Sequence, residues 1–93
     1  MKEEIVQILK KALKKLDVDL KKEEIEKILQ VQKNDERGDY SFPCFFLSKK
    51  LKDNPHQMAL QLREQIGTPS IIEFEDIQVE GGYVNFFLDK KEL

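Results

Sequence analysis

The sequence has one cysteine, one histidine and no tryptophan. Cys44 alone forms no internal disulfide, and one His with one Cys fails on ligand count for a His/Cys metal site, so no metal or cofactor is expected. No apolar run comes near the ~18–20 residues that span a membrane. The chain opens Met-Lys-Glu-Glu and runs into an amphipathic stretch, so no signal peptide is expected. With no internal disulfide to form, a reducing, cytoplasmic setting is the default expectation. Only four glycines are present, and Gly81-Gly82 lies between two strand-like runs rather than between a strand and a helix, so no phosphate-cradling loop exists. A basic excess is also missing: 16 Lys and Arg face 18 Asp and Glu, a net charge of -2. That excludes the broad basic field of a stand-alone nucleic-acid binder, and nothing points to DNA. The length of 93 residues makes one domain, residues 1–93, and is short for a complete enzyme with a nucleotide site.

What is present is a globular composition, 40% hydrophobic and 37% charged. The charge is graded along the chain: residues 1–33 hold 9 basic and 7 acidic side chains, residues 67–93 hold 2 and 6. Ile5, Leu9, Ala12 and Leu16, widened by Ile8 and Leu13, predict a helix from Lys2 to about Asp17. Its other side carries Lys10, Lys11, Lys14 and Lys15, a solvated face or a phosphate-contacting stripe. After a break at Asp17, a short helix over Lys21 to about Lys27 is expected. A strand then follows near Ile28–Gln32, with Leu29 and Val31 on one face; a helix continuing to residue 30 is the competing reading.

Lys33 to Tyr40 reads as a loop. Ser41 as cap and Pro43 in the first turn predict a helix from about Phe42 to Lys52, with Phe46, Leu47 and Leu51 in the core and Cys44 or Phe45 at its margin. Asn54 as cap and Pro55 at the first position start another helix, whose stripe is Ala59, Leu62 and Ile66 with Met58 beside it, stopped at Gly67. Gly81-Gly82 then joins two strands in a hairpin. A two-residue loop pairs Glu80 with Tyr83, Gln78 with Asn85 and Asp76 with Phe87. The segment Ile71, Ile72, Phe74 is out of phase with that alternation, so a turn or bulge is expected there. The class is α+β: a small antiparallel sheet, made of the hairpin and a third strand, packed in two layers against about four helices.

Alternation sends Ile77, Val79, Val84, Phe86 and Leu88 toward the helices and Asp76, Gln78, Glu80, Tyr83, Asn85 and Phe87 to the other face. An aromatic ring beside an amide suits unpaired RNA: the ring stacks on a base, and the amide offers a donor and an acceptor to its edge. The same pattern fits a covered face with Tyr83 and Phe87 as a second core layer, or a protein–protein or dimer contact anchored by those two residues. His56, in the first turn of a helix, reads as exposed, and Cys44 as a buried, inert thiol. Catalytic residues are therefore expected to be none.

Three stretches stand in order: Gly38-Asp39-Tyr40-Ser41-Phe42-Pro43-Cys44-Phe45, a lysine-rich helix ending at Asn54-Pro55, and Gly82-Tyr83-Val84-Asn85-Phe86-Phe87-Leu88. Together they resemble the N-terminal appended domain of arginyl-tRNA synthetases. The resemblance implies a small α+β domain ahead of a catalytic domain, in an ATP-dependent arginine–tRNA ligase of the cytoplasm. It implies a contact with the outer corner of arginine transfer RNA (tRNA-Arg), where the D-loop presents an exposed base. Carried over by motif position, Tyr83 and Asn85 would read that base, flanked by Gln78, Phe87 and Glu80, although a carboxylate at Glu80 repels phosphate. Lys10, Lys14, Lys49, Lys50 and Lys52 are candidates for backbone contacts. Gly38, Asp39, Tyr40 and Ser41 would be architectural, Gly38 for its backbone angle and Asp39 or Ser41 as a cap, with Gly81 and Gly82 as the turn. The catalytic signatures of that family and its anticodon-binding domain are absent from these residues. The chain is thus expected to be non-catalytic alone, with tRNA-Arg and the other synthetase domains as partners. The sequence leaves open whether it is an excised domain or a free-standing homologue.

Overall fold

The computed structural model describes residues 2–31, 39–67 and 74–88. Helix α1, Lys2–Lys15, buries Ile5, Val6, Leu9, Ala12 and Leu13, the apolar stripe of its sequence. It ends where Asp17 turns left-handed at φ 61°. The Val18 N–H reaches back to the Leu13 carbonyl at 2.9 Å and the Asp17 N–H to that of Lys14 at 3.0 Å. This is the reversal that glycine most often supplies at a helix end, closed by an apolar contact on its far side. An aspartate there is strained and places a negative charge at the negative pole of the helix. Asp17→Gly is therefore expected to stabilise the domain by about 0.5–1 kcal/mol, a rise of roughly 2–8 °C in Tm that a thermal melt would register.

Helix α2, Lys22–Ile28, opens with the Lys21 N–H donating to the Glu24 carboxylate at 3.1 Å and buries Ile25. Strand β1 is only Gln30–Val31, and Val31 is 61% exposed while Leu29 is buried, so those two do not share a buried face. Of the expected strand near Ile28–Gln32, Gln30 and Val31 pair with Ser41 and Tyr40, Ile28 instead ends α2, and Gln32 lies outside the described residues.

Strand β2, Tyr40–Pro43, corrects the expected helix over Phe42 to Lys52. It pairs antiparallel with strand β4, Tyr83–Leu88. Ser41 and Phe42 are both buried, on opposite faces, as a strand between two others requires. Ser41 is therefore no helix cap, and neither is Asp39: its N–H donates to the Phe86 carbonyl and its carboxylate accepts from the Leu88 N–H, both at 2.9 Å. Gly38 lies outside the described residues. Helix α3 runs over Phe45–Leu51, with Cys44 at its cap position making no side-chain cap bond. Leu47 and Cys44 are buried and Phe46 meets Phe42 edge-on at 5.8 Å, but Leu51 and Phe45 are exposed, so Leu51 is not the core residue expected. Helix α4, Pro55–Ile66, starts as its sequence predicts: Asn54 accepts from the Gln57 N–H at 2.8 Å and Pro55 takes the first position.

Strand β3, Phe74–Glu80, completes a four-stranded antiparallel sheet in the order β1-β2-β4-β3. The hairpin register is the one its two-residue turn dictates, Glu80–Tyr83 through Asp76–Phe87, with a shift between Phe74 and Asp76 where the alternation breaks. Ile71 and Ile72 lie outside the described residues. One face of the sheet, through Phe42, Ile77, Val84 and Phe86, packs on Leu9, Leu13, Leu47, Met58 and Leu62 of the helices. The free edge of β3 is closed at Ile77, whose carbonyl accepts from Arg63 Nε and whose N–H donates to Asp76 Oδ1, each at 2.8 Å. Gln78 Nε2 also donates to Asp76 Oδ2 at 2.8 Å. These two donors, with the Arg63 charge nearby, hold the Asp76 carboxyl below its usual range.

Candidate nucleic-acid interface

On the sheet face turned away from the core, one polar row crosses all four strands: Gln30, Ser41, Asn85 and Gln78, each paired with the next. Ser41 and Asn85 are its middle members, each 2% exposed. The Ser41 hydroxyl donates to Asn85 Oδ1 at 2.6 Å, and Asn85 Nδ2 donates to Glu80 Oε2 at 3.4 Å. A buried amide with both ends bonded sits in one orientation.

Beside this row the hairpin tip docks on the junction of α3 and α4. The Cys44 N–H donates to the Gly82 carbonyl at 2.8 Å. His56 Nδ1 lies 2.7 Å from the Gly81 carbonyl, so that nitrogen carries the hydrogen. Gly81 supplies the positive φ of 57°, whereas Gly82 supplies room: a Cβ there would lie 2.8 Å from Pro55 Cβ and 3.2 Å from the Phe45 ring. Docking brings Phe45, 47% exposed, against Tyr83, their rings edge-to-face with centroids 5.3 Å apart.

The result is a cleft of about 300 Å³, walled by Phe45 and Tyr83 on the aromatic side and by Gln30, Ser41, Asn85 and Glu80 on the polar side, with Gly81 and Gly82 at its end. Tyr83, Asn85 and Glu80 are thus brought together. Gln78 stays outside, exposed and bonded to Asp76, and Phe87 is half-buried farther along β4. Phe45, Ser41 and Gln30 enter the cleft without having been singled out as ligand contacts. An exposed aromatic at the head of a lysine-rich helix was the available signal for Phe45.

The lysines fall into two groups. Lys49, Lys50 and Lys52 are exposed at the end of α3. Lys10, Lys11, Lys14 and Lys22 line a shallow groove between α1 and α2, where Lys10 Nζ donates to the Leu20 carbonyl at 3.3 Å. Cys44 is buried and its thiol is pushed up to about 12 by that burial, which makes it a poor nucleophile. His56 is exposed, with its Nδ1 engaged by the Gly81 carbonyl. Among the described residues no three His, Cys, Asp or Glu side chains are grouped to hold a metal ion, and no helix is long and apolar enough to cross a membrane.

This geometry occurs in a chain with recognisable relatives. The family model described as the arginyl tRNA synthetase N terminal domain matches residues 3–88. The chain is 47% identical over 81 residues to an arginine–tRNA ligase of Clostridioides difficile, which covers 87% of this chain and 14% of that protein. It is 39% identical over 89 residues to one of Clostridium beijerinckii, covering 96% and 14%. Among solved structures, Thermus thermophilus arginyl-tRNA synthetase superposes with a TM-score of 0.79 at 26% identity, over 99% of this chain and 14% of that one. The chain therefore spans about a seventh of the length of these relatives. By the match along nearly its whole length, it belongs to the family of arginyl-tRNA synthetase N-terminal domains.

Proposed function

We propose that this chain is the RNA-recognition domain of an arginine–tRNA ligase, acting in the cytoplasm, and that it holds the D-loop corner of tRNA-Arg for a catalytic domain outside these residues. The observation that carries the reading is the cleft, where the rings of Phe45 and Tyr83 meet a buried amide, all within the residues that the family match covers. Rings of this kind take an unpaired base by its face, and the polar row meets its edge. The net charge of -2 supports a positioning role, with most phosphate contacts, and most of the affinity, supplied by other domains. Lys49 and Lys50, in the last turn of the helix that Phe45 begins, and Lys52 at its C-cap are the candidates to meet backbone on the α3 side of the cleft.

The test is an NMR titration of the chain with tRNA-Arg at low salt. Shifts are expected to concentrate at Phe45, Tyr83 and Asn85 and to weaken when only the exposed D-loop base is altered. Tyr83→Ala is expected to weaken binding by about 1–3 kcal/mol. Shifts confined to the lysine groove of α1, or indifferent to the loop base, would overturn the reading.

A further inference from the structure

We infer that the groove between α1 and α2 is a docking site for a partner protein, and that its occupant is an acidic amphipathic helix. The groove lies on the outer side of the helix layer, away from the sheet face that carries the cleft, and its use does not depend on what the cleft binds.

The lysines of this groove are placed against local preference. Residues 8–16 contain four lysines and no acid. Side chains four apart on a helix are neighbours, so Lys10 meets Lys14 and Lys11 meets Lys15, two like-charge pairs. Lys22 is the first residue of α2, where the positive end of the helix dipole repels an ammonium. Lys14 and Lys15 gain from the negative end of α1; Lys10, Lys11 and Lys22 do not. Folding adds to the crowding, because it gathers Lys22 with Lys10, Lys11 and Lys14 around one groove of about 430 Å³. Among the described residues no carboxylate neutralises them. The ammonium groups of Lys11, Lys14 and Lys22 have no hydrogen bond or ion pair there, and Lys10 donates only to the Leu20 carbonyl, at 3.3 Å. A local rule broken several times at one place, with no compensation inside the domain, marks a surface that is compensated from outside.

The rest of the groove decides what kind of anion fits. Its surface is mostly carbon: half-buried Ile8, and the methylene stems that lysines lay along a surface while their charged ends stay in water. Toward the start of α1 it continues into a smaller hollow between Glu3, Val6, Gln7, Lys22 and Glu26, so the charge changes sign along its length. A nucleic-acid backbone is negative at every step and is repelled at the Glu3 and Glu26 end. An amphipathic helix meets all three conditions. Its apolar stripe covers Ile8 and the lysine stems, lying in the groove between two helices. Acidic side chains on its flanks reach the lysines, and a basic end over Glu3 and Glu26 fixes its direction.

The probe is a synthetic helical peptide with leucines at i, i+3, i+4 and i+7, glutamates beside them and lysine at one end. Its control has the same composition in scrambled order. Each is titrated into the isotope-labelled chain and followed by NMR. Shifts are expected at Ile8, Lys11, Lys14 and Lys22, with the control binding roughly tenfold more weakly because it has no apolar stripe. The double variant Lys11→Glu/Lys22→Gln is expected to lose roughly tenfold in affinity with no fall in Tm. The first change ends the repulsion with Lys15, and the second lifts a positive charge from the start of α2. If the peptide does not bind, if the control binds equally well, or if the double variant keeps its affinity, the inference falls. It falls too if a single-stranded oligouridylate displaces the peptide at equal concentration, which would make the groove an RNA-backbone site. Movement of the same resonances on raising the concentration of the chain alone would make the occupant a second copy and overturn it as well.

Discussion

Asn85→Asp is expected to cost about 3–5 kcal/mol at neutral pH and to make the domain's stability rise on acidification. The two side chains have nearly the same shape, so no cavity opens and the change isolates charge and hydrogen-bond polarity. Asn85 is 2% exposed, so the new carboxylate is taken out of water. Where Nδ2 now donates to Glu80 at 3.4 Å, an oxygen would face an oxygen of the same charge. Ser41 still donates to the remaining oxygen, at the 2.6 Å seen for the amide, and offsets only part of this. Burial and the neighbouring carboxylate both push the new acid's pKa above its unfolded value. A group so raised favours the folded state when protonated: the variant is least penalised below the unfolded carboxylate range and loses stability as pH rises through the raised value. Against a total of ~5–14 kcal/mol for a domain of this length, the loss leaves the variant marginal at neutral pH. Urea denaturation of both proteins at a series of pH values measures the gap. It should be wide near neutrality and close toward acid; a gap constant with pH would mean that Asn85 is not held in the buried, carboxylate-facing site described.

That site was half legible in the sequence, and the division has a physical cause. A two-residue turn fixes the register of a hairpin, and alternation fixes its faces, so the outward position of Tyr83 and Asn85 follows from residues 76–88 alone. The start of α4 is equally local, an Asn cap with Pro after it. Strand β2 is not local. Ser41-Phe42-Pro43 carries the marks of a helix start, and its strand conformation comes from pairing with β4, forty or more residues along the chain. Pairing of that kind overrides local preference. The error propagates to the site, because β2 makes β4 an interior strand. Ser41 then lies against Asn85, and an amide that looks free on an isolated hairpin is buried and bonded on both sides. Phe45 was missed for a related reason. It becomes a wall of the cleft only because the hairpin tip docks beside it, through backbone bonds that leave no mark in residue types. The face of the site is thus a property of short-range pattern, while the choice of which atom on that face is free depends on long-range pairing.

The glycine pair at the turn separates conformation from space, and substitution should split the two. Gly81 needs its positive φ but has open surroundings, so Gly81→Ala is expected to cost about 1 kcal/mol of backbone strain and to leave the cleft intact. Gly82 has ordinary backbone and no room. A Cβ there would stand 2.8 Å from Pro55 Cβ, an atom of a rigid ring fixed at the first position of α4, and 3.2 Å from the Phe45 ring. Phe45 can rotate aside; Pro55 cannot. The tip must therefore lift, lengthening the bond from the Cys44 N–H to the Gly82 carbonyl and drawing Gly81 away from His56. Overpacking of this sort costs about 1–3 kcal/mol, or roughly 4–8 °C of Tm for each kcal/mol in a domain of this size. Its consequence for function is larger than its consequence for stability, because lifting the tip separates Tyr83 from Phe45 and opens the aromatic side of the cleft. Gly82→Ala is thus expected to shift the ring resonances of both residues and to weaken RNA binding by about tenfold, within the range of losing one base–ring contact. Gly81→Ala should lower Tm while leaving the rings and the binding unchanged. Equal loss of binding in the two variants would mean that general destabilisation, rather than the closed cleft, governs RNA recognition.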